Sequence, residues 1–394
     1  MFKSVLSLTL AAALGTASFG QTTLTAIPGE AAAAKYASIS QEILRAIEKG
    51  NEYLKSKQNP EGYWAQPSYP ALTALAVTAY MRDPANQGKP VPEYIRKGYD
   101  FILKSQKEDG SIFNRGMSSY NTAVCMMALL AANKEEYAPA ILKGRAYLIK
   151  QQNHFAPDNP YNGGIGYGDK QAPPIADLSN TSLALEAIYY SQKLAKDGKY
   201  GEQSDLDWNA ATEFINRCQQ NPAVNKEPWV SNDKSQLGGF VYRPGVSSAR
   251  DKKSAAFDKA EPPKAYGSMT YAGMQSLIYA NVDKNDPRVK LALKWLENSY
   301  SLDENPGMGV QGLYYYYQAM SKALSAMGID TLTLENGRKV DWRDELANKL
   351  ISIQKSDGSW VNTNNRWWEA DPVLVTSYLS LIHISEPTRP RLIS

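Results

Sequence analysis

The chain has 394 residues, 43% hydrophobic and 21% charged, with a net charge of +3, an ordinary composition for a protein with a real core. That small charge, with no Lys/Arg stripe, argues against nucleic acid as a partner. With 25 tyrosines, 8 tryptophans and only 2 histidines, aromatic surface rather than charge or metal chemistry has to carry the function.

The chain opens with Lys3, the apolar run "VLSLTLAAALG" and the small residues of "TASFGQ". This reads as a signal peptide over residues 1–20, cleaved near Gly20. The apolar run is too short to span a bilayer comfortably, and no other stretch approaches that length. The expectation is an exported protein, periplasmic or extracellular. Cys125 and Cys218 then sit in an oxidising compartment, but they fall in non-neighbouring repeats of the pattern below. They are expected as small buried hydrophobes rather than a disulfide.

From about residue 35 a pattern repeats. "PEYIRKGYDFILKSQ" places Tyr94, Ile95, Tyr99, Ile102 and Leu103 at three- and four-residue spacing, an amphipathic helix. "KEDGSIF" breaks it, with Gly110 free to take a left-handed conformation. "YNTAVCMMALLAAN" follows, apolar nearly all round, as a helix buried on every side should be. The same sentence is written six times. Repeat one runs through "NPEGYW" into "YPALTALAVTAYM". Repeat three runs through "NGGIGYG" into "LSNTSLALEAIYY". Repeat four runs through "LGGFVY" into "MTYAGMQSLIYA". Repeat five runs through "NPGMGVQG" into "LYYYYQAMSKALSAM". Repeat six runs through "KSDGSW" into "DPVLVTSYLSLI".

Such a pair of helices cannot bury its inner member alone and needs neighbours on both sides. The first and last repeats are as typical as the middle ones, which favours a closed ring over an open solenoid. The fold class is therefore all-α: an α/α six-barrel, or toroid, of six helix pairs over residues 35–381. The turn Gln is expected to bond the free carbonyls of its own outer helix, and the aromatic after the Gly to pack on the next helix.

The turn "QKSDGSW" resembles the QW motif of squalene–hopene cyclases. The whole repeat, over residues 40 to about 381, is similar to the terpenoid cyclase / protein prenyltransferase superfamily. "GGFVY", "YGSMTYAGMQSLIYA" and "WWEADPVLVTSYLSL" resemble the exported single-domain prenyltransferase/squalene-oxidase-repeat proteins of bacteria. After Leu381 the chain reads "IHISEPTRPRLIS", where the inner-helix pattern stops. Residues 382–394 resemble translated sequencing adapter and are expected to be a non-native tail.

In such a barrel the mouth is formed where chains enter the inner helices. There lie Tyr120 and Asn121; Asp177, Ser179 and Asn180; Tyr266, Ser268, Thr270 and Tyr271; Tyr314, Tyr315, Tyr316 and Tyr317; and Trp367, Trp368, Glu369 and Asp371. Four consecutive tyrosines point all round a helix, so at most two face the lumen. A cyclase of the resembled type protonates an alkene with a carboxylic acid in a D-x-D-D-T-A motif. Here the matching stretch is "DLSNTS": Asp177 stands at the first Asp, Ser179 where the acid belongs, Asn180 where its partner belongs. Asp177 reads as a catalytic remnant or as a helix cap. Glu369 and Asp371, beside two tryptophans, read as raised-pKa acids or, for Asp371 before Pro372, as a helix start.

The resembled protein prenyltransferases bind zinc through Asp, Cys and His. This chain offers only His154 and His383, with Cys125 far from either, so neither metal nor other cofactor is expected. The charged stretch 247–267 reads as a solvated loop or a lid. Three functions stand open. One is a cyclase-like or prenyl-transferring enzyme on an isoprenoid, as the resemblance implies. Another is a non-catalytic module holding a lipid, peptide or protein. The last is a glycan-active enzyme with Trp367, Trp368 and Tyr315 stacked on sugar rings and Glu369 or Asp371 as acid or base. Oligomeric state is not legible.

Overall fold

The computed structural model describes residues 30–168, 175–249 and 262–383, with backbone alone for 30–40 and 381–383. The expected leader, the residues from 384 onward and residues 250–261 of the charged loop lie outside the described residues. The chain divides at residue 40. Residues 30–40 are helical, and everything below concerns the unit that begins at Gln41.

Six inner helices form its core: α2 (Pro70–Arg82), α4 (Ser118–Ala132), α6 (Leu178–Tyr190), α9 (Gly267–Tyr279), α11 (Leu313–Met327) and α13 (Pro372–His383). They pack in the order α2, α4, α6, α9, α11, α13, and α13 packs back on α2, closing the ring. Outside run α1 (Glu30–Ser56) from Gln41 onward, α3 (Glu93–Lys104), α5 (Ala138–Lys150), α8 (Trp208–Cys218), α10 (Pro287–Asn298) and α12 (Trp342–Ile353). The inner helices are buried on all sides, as their sequences require; in α2 every residue from Pro70 to Ala79 is buried. Cys125 and Cys218 are both free and fully buried. Two features are additional to the helix pairs: the short α7 (Gln192–Lys196) and a hairpin of β1 (Thr331–Thr333) and β2 (Lys339–Asp341) before α12. Helix α13 continues to His383, two residues past the point where the apolar pattern ends.

The turn works differently from expectation. It is the tryptophan that serves the carbonyls of its own outer helix: Trp64 Nε1 donates to Leu54 O at 2.6 Å and Trp360 Nε1 to Leu350 O at 2.9 Å. The glutamine reaches onward instead. Gln58 Nε2 donates to Gly62 O in its own turn and to Tyr94 O at the start of the next outer helix. Gln106 joins Gly110 to Ala140, Gln152 joins Gly163 to Asp207, and Gln219 joins Gly238 to Arg288. Gln354 closes the circle by bonding Gly358 O and Ala46 O of α1. The turn glycine is there for closeness as much as for conformation. Gly358 has φ +86, and a Cβ on it would lie 2.4 Å from Lys49 O of α1. An inner-helix threonine completes the unit: Thr73, Thr122, Thr181, Thr270 and Thr376 accept the backbone N–H of Trp64, Ile112, Ile165, Phe240 and Trp360. Repeat five departs from this pattern and uses Asn305, bonded to Ser268 and to Gln311 O.

Gln354→Ala removes both hydrogen bonds of the closing clamp. It is expected to cost about 1–2 kcal/mol, seen as a lower urea midpoint with an unchanged slope. An unchanged midpoint would show that the ring closes without the clamp.

Candidate functional site

Six buried helices start at the mouth, and each presents backbone N–H groups with no partner inside its own helix. Most of the polar residues gathered there answer that demand. Asp177 is the N-cap of α6: its Oδ1 accepts from Asn180 N and its Oδ2 from Asn180 Nδ2, both at 2.8 Å. Asp371 Oδ1 accepts from Val373 N at 2.8 Å at the start of α13. Asn121, wholly buried, accepts from Ala71 N at the start of α2 and so ties α4 to its neighbour. Glu369 serves another helix too. Its Oε1 accepts from Tyr315 N at 2.8 Å, with the Tyr314 and Leu313 N–H groups also directed at it, and Oε2 accepts from Asn362 Nδ2 at 2.7 Å. A carboxylate at a helix N-terminus is favoured by the dipole as well as by the hydrogen bonds. Burial still raises the Glu369 carboxyl above its ordinary range, with those hydrogen bonds opposing the shift.

The aromatic residues divide. Of the four consecutive tyrosines, Tyr314, Tyr316 and Tyr317 are buried in the wall, donating to Val361 O, Ser301 O and Leu302 O. Only Tyr315 faces the lumen. Tyr271 is buried against Tyr316, ring centres 5.6 Å apart, and Tyr266 is the buried residue before α9. Ser268 and Thr270 are bonded to Asn305 and to the Phe240 N–H.

Two layers of side chains cross the lumen. Near the mouth, Tyr120 of α4 meets Tyr378 of α13 hydroxyl to hydroxyl at 3.3 Å, and Ser179 of α6 meets Tyr315 of α11 at 3.2 Å. Toward the C-terminal ends of the inner helices, Glu186 of α6 pairs with Lys322 of α11 at 2.9 Å. In both α6–α11 contacts α9 stands between the two helices in the ring order, so each pair spans the lumen rather than joining neighbours. A cavity of about 60 Å³ lies among these groups, well below the roughly 300–1,000 Å³ of an ordinary small-molecule pocket.

At the rim stand Trp367 and Trp368, 45% and 41% exposed, with φ of +57 and +64. Left-handed backbone is costly for bulky residues, about 1–3 kcal/mol each. Their neighbours hold them there: Tyr69 lies on Trp368 with ring centres 4.8 Å apart, and the Arg366 guanidinium lies 4.4 Å from the Trp367 ring centre.

Comparison with solved structures fixes the class of this architecture. A variant of the type II terpene cyclase MstE from Scytonema, in complex with geranylgeranyl dihydroxybenzoate, matches with a TM-score of 0.51 at 10% identity, over 89% of this chain and 99% of that one. Candida albicans protein geranylgeranyltransferase-I complexed with GGPP matches with a TM-score of 0.51 at 15% identity, over 85% and 89%. This chain has the fold of the terpenoid cyclases and protein prenyltransferases. No protein-family model matches it, and likeness at such identity speaks for the fold alone.

Asp177, at the start of α6, is a buried acid. Burial pushes the Asp177 carboxyl up to about 6, against hydrogen bonds from Asn180 and Tyr242 and the nearby charge of Arg243. Among the described residues no cluster of three His, Cys, Asp or Glu side chains could hold a metal ion; His154 is exposed. No described helix is long and apolar enough to cross a membrane. Sequence reasoning missed Tyr378, Arg82, Glu186 and Lys322, all of which line the cavity. Glu186 and Lys322 were visible as single charges inside otherwise apolar helices, where a charge needs a partner.

Proposed function

We propose that this toroid binds an isoprenoid or another apolar chain at its mouth without cyclising it. The observation that carries the reading is the exposed tryptophan pair held in strained backbone above a lumen crossed by tyrosines. Strained backbone of this kind clusters at ligand clamps and active sites, so it points to a ligand here. The proteins that share the fold, in complexes with geranylgeranyl dihydroxybenzoate and GGPP, support the ligand class. Against turnover stands the bonding of Asp177: Oδ1 caps α6 by accepting the Asn180 backbone N–H, and Oδ2 is taken by the Asn180 side-chain amide. A proton donor to an alkene needs an acid aimed at the substrate. The glycan-active reading has less support, because Glu369 and Asp371 both serve helix starts. We also propose that the chain is exported by its N-terminal leader, which cell fractionation of a C-terminally tagged chain would test.

Titrating geranylgeraniol against tryptophan fluorescence tests the binding site. The double variant Trp367→Ala/Trp368→Ala is expected to bind at least about tenfold more weakly, as for a buried aromatic anchor. Equal binding by variant and wild type, or no binding by either, would contradict the reading.

A further inference from the structure

We infer that the cavity between the two cross-lumen layers is a second site, facing the C-terminal ends of the inner helices and taking a small monocarboxylate with a short apolar stem. The cavity is separate from the tryptophan rim: its lining runs from the Tyr120–Tyr315–Tyr378 layer down to Arg82, the last residue of α2. Its wall is apolar at Leu75, Val124 and Leu183 and polar toward Arg82. The charges decide the ligand. Glu186 is the only carboxylate in the lining among the described residues, and Lys322 neutralises it. That leaves Arg82 as an uncompensated cation. A cation in the last turn of a helix is ordinary. This one is half-buried, lines a cavity, and makes no hydrogen bond or ion pair among the described residues. A guanidinium fork in such a place matches a carboxylate.

Size sets the stem. A water needs about 10–15 Å³ of such volume, so about 60 Å³ holds roughly four to six heavy atoms. Propionate fits, with its carboxylate on Arg82 and its carbons among Leu75, Val124 and Leu183. No bond is made or broken.

The test is calorimetric titration of the full chain with propionate, propanol and propylamine at equal ionic strength. Propionate is expected to bind at least about tenfold more tightly than the other two. Arg82→Gln should remove that preference while circular dichroism stays unchanged. Ala123→Phe, which fills the cavity and leaves Arg82 in place, should abolish binding. Equal binding of propanol and propionate, unchanged propionate affinity in Arg82→Gln, or no propionate binding at millimolar concentration would overturn the inference. Because this readout depends on Arg82 and the rim titration on Trp367 and Trp368, either site can fail without the other.

Discussion

Replacing Lys322 with Met is expected to destabilise the toroid by about 2–3 kcal/mol, while replacing Lys322 and Glu186 together by Met and Leu returns most of that loss. The reason is the asymmetry of buried ion pairs. Removing one partner leaves the other charge in a low-dielectric interior, at a cost of about 3–5 kcal/mol when both are fully buried. Here the Glu186 side chain is 6% exposed but that of Lys322 is 26%, so solvent relieves part of it. Replacing both charges with apolar groups of similar volume is often neutral or stabilising. A double-mutant cycle in urea at constant slope reads this directly. If each single variant were as stable as the double variant, the pair would not be holding α6 to α11 across the lumen.

Asp177→Asn is expected to change how stability depends on pH. The sign follows from the shift. The carboxyl is pushed up to about 6 in the folded chain, against about 3.9 in an unfolded one. The folded state therefore binds more protons between those values, and wild-type stability falls as pH rises from about 4 through 6. At about 1.36 kcal/mol per unit, the loss is about 2–3 kcal/mol once the group is ionised. Asparagine does not titrate, and its oxygen can still accept the Asn180 N–H as a cap. Between pH 4 and pH 8 the stability difference should therefore move by about 2 kcal/mol in favour of the variant. A difference constant across that range would mean that folding does not raise the Asp177 carboxyl above its unfolded range.

The helices were legible because periodicity and burial agree in them. The bounds of α6 and α11 coincide with "LSNTSLALEAIYY" and "LYYYYQAMSKALSAM". Ring closure was legible from the typical first and last repeats. The role of Gln354 was not, because its partner Ala46 lies 308 residues away and nothing local distinguishes a carbonyl of the same helix from one in the next. The hairpin could have been seen, since Asn336–Gly337 between polar strands is a turn signal. The mouth misleads for a physical reason. Residues that cap buried helices are the same Asp, Asn, Ser and Glu that populate active sites, so Asp371 and Glu369 look catalytic, and Asn121 ligand-binding, until their backbone partners are known. The side chains that do meet across the lumen, Tyr120 with Tyr378 and Ser179 with Tyr315, lie 258 and 136 residues apart in the chain, so no local pattern pairs them.

The central claim is binding without turnover. It is tested most directly by incubating the purified chain with geranylgeranyl dihydroxybenzoate, then reading bound and released species by native and extract mass spectrometry. The account predicts an isoprenoid retained on the protein and recovered chemically unchanged. A cyclised product that disappears in Asp177→Asn, or a wild-type chain that retains no isoprenoid, would contradict it.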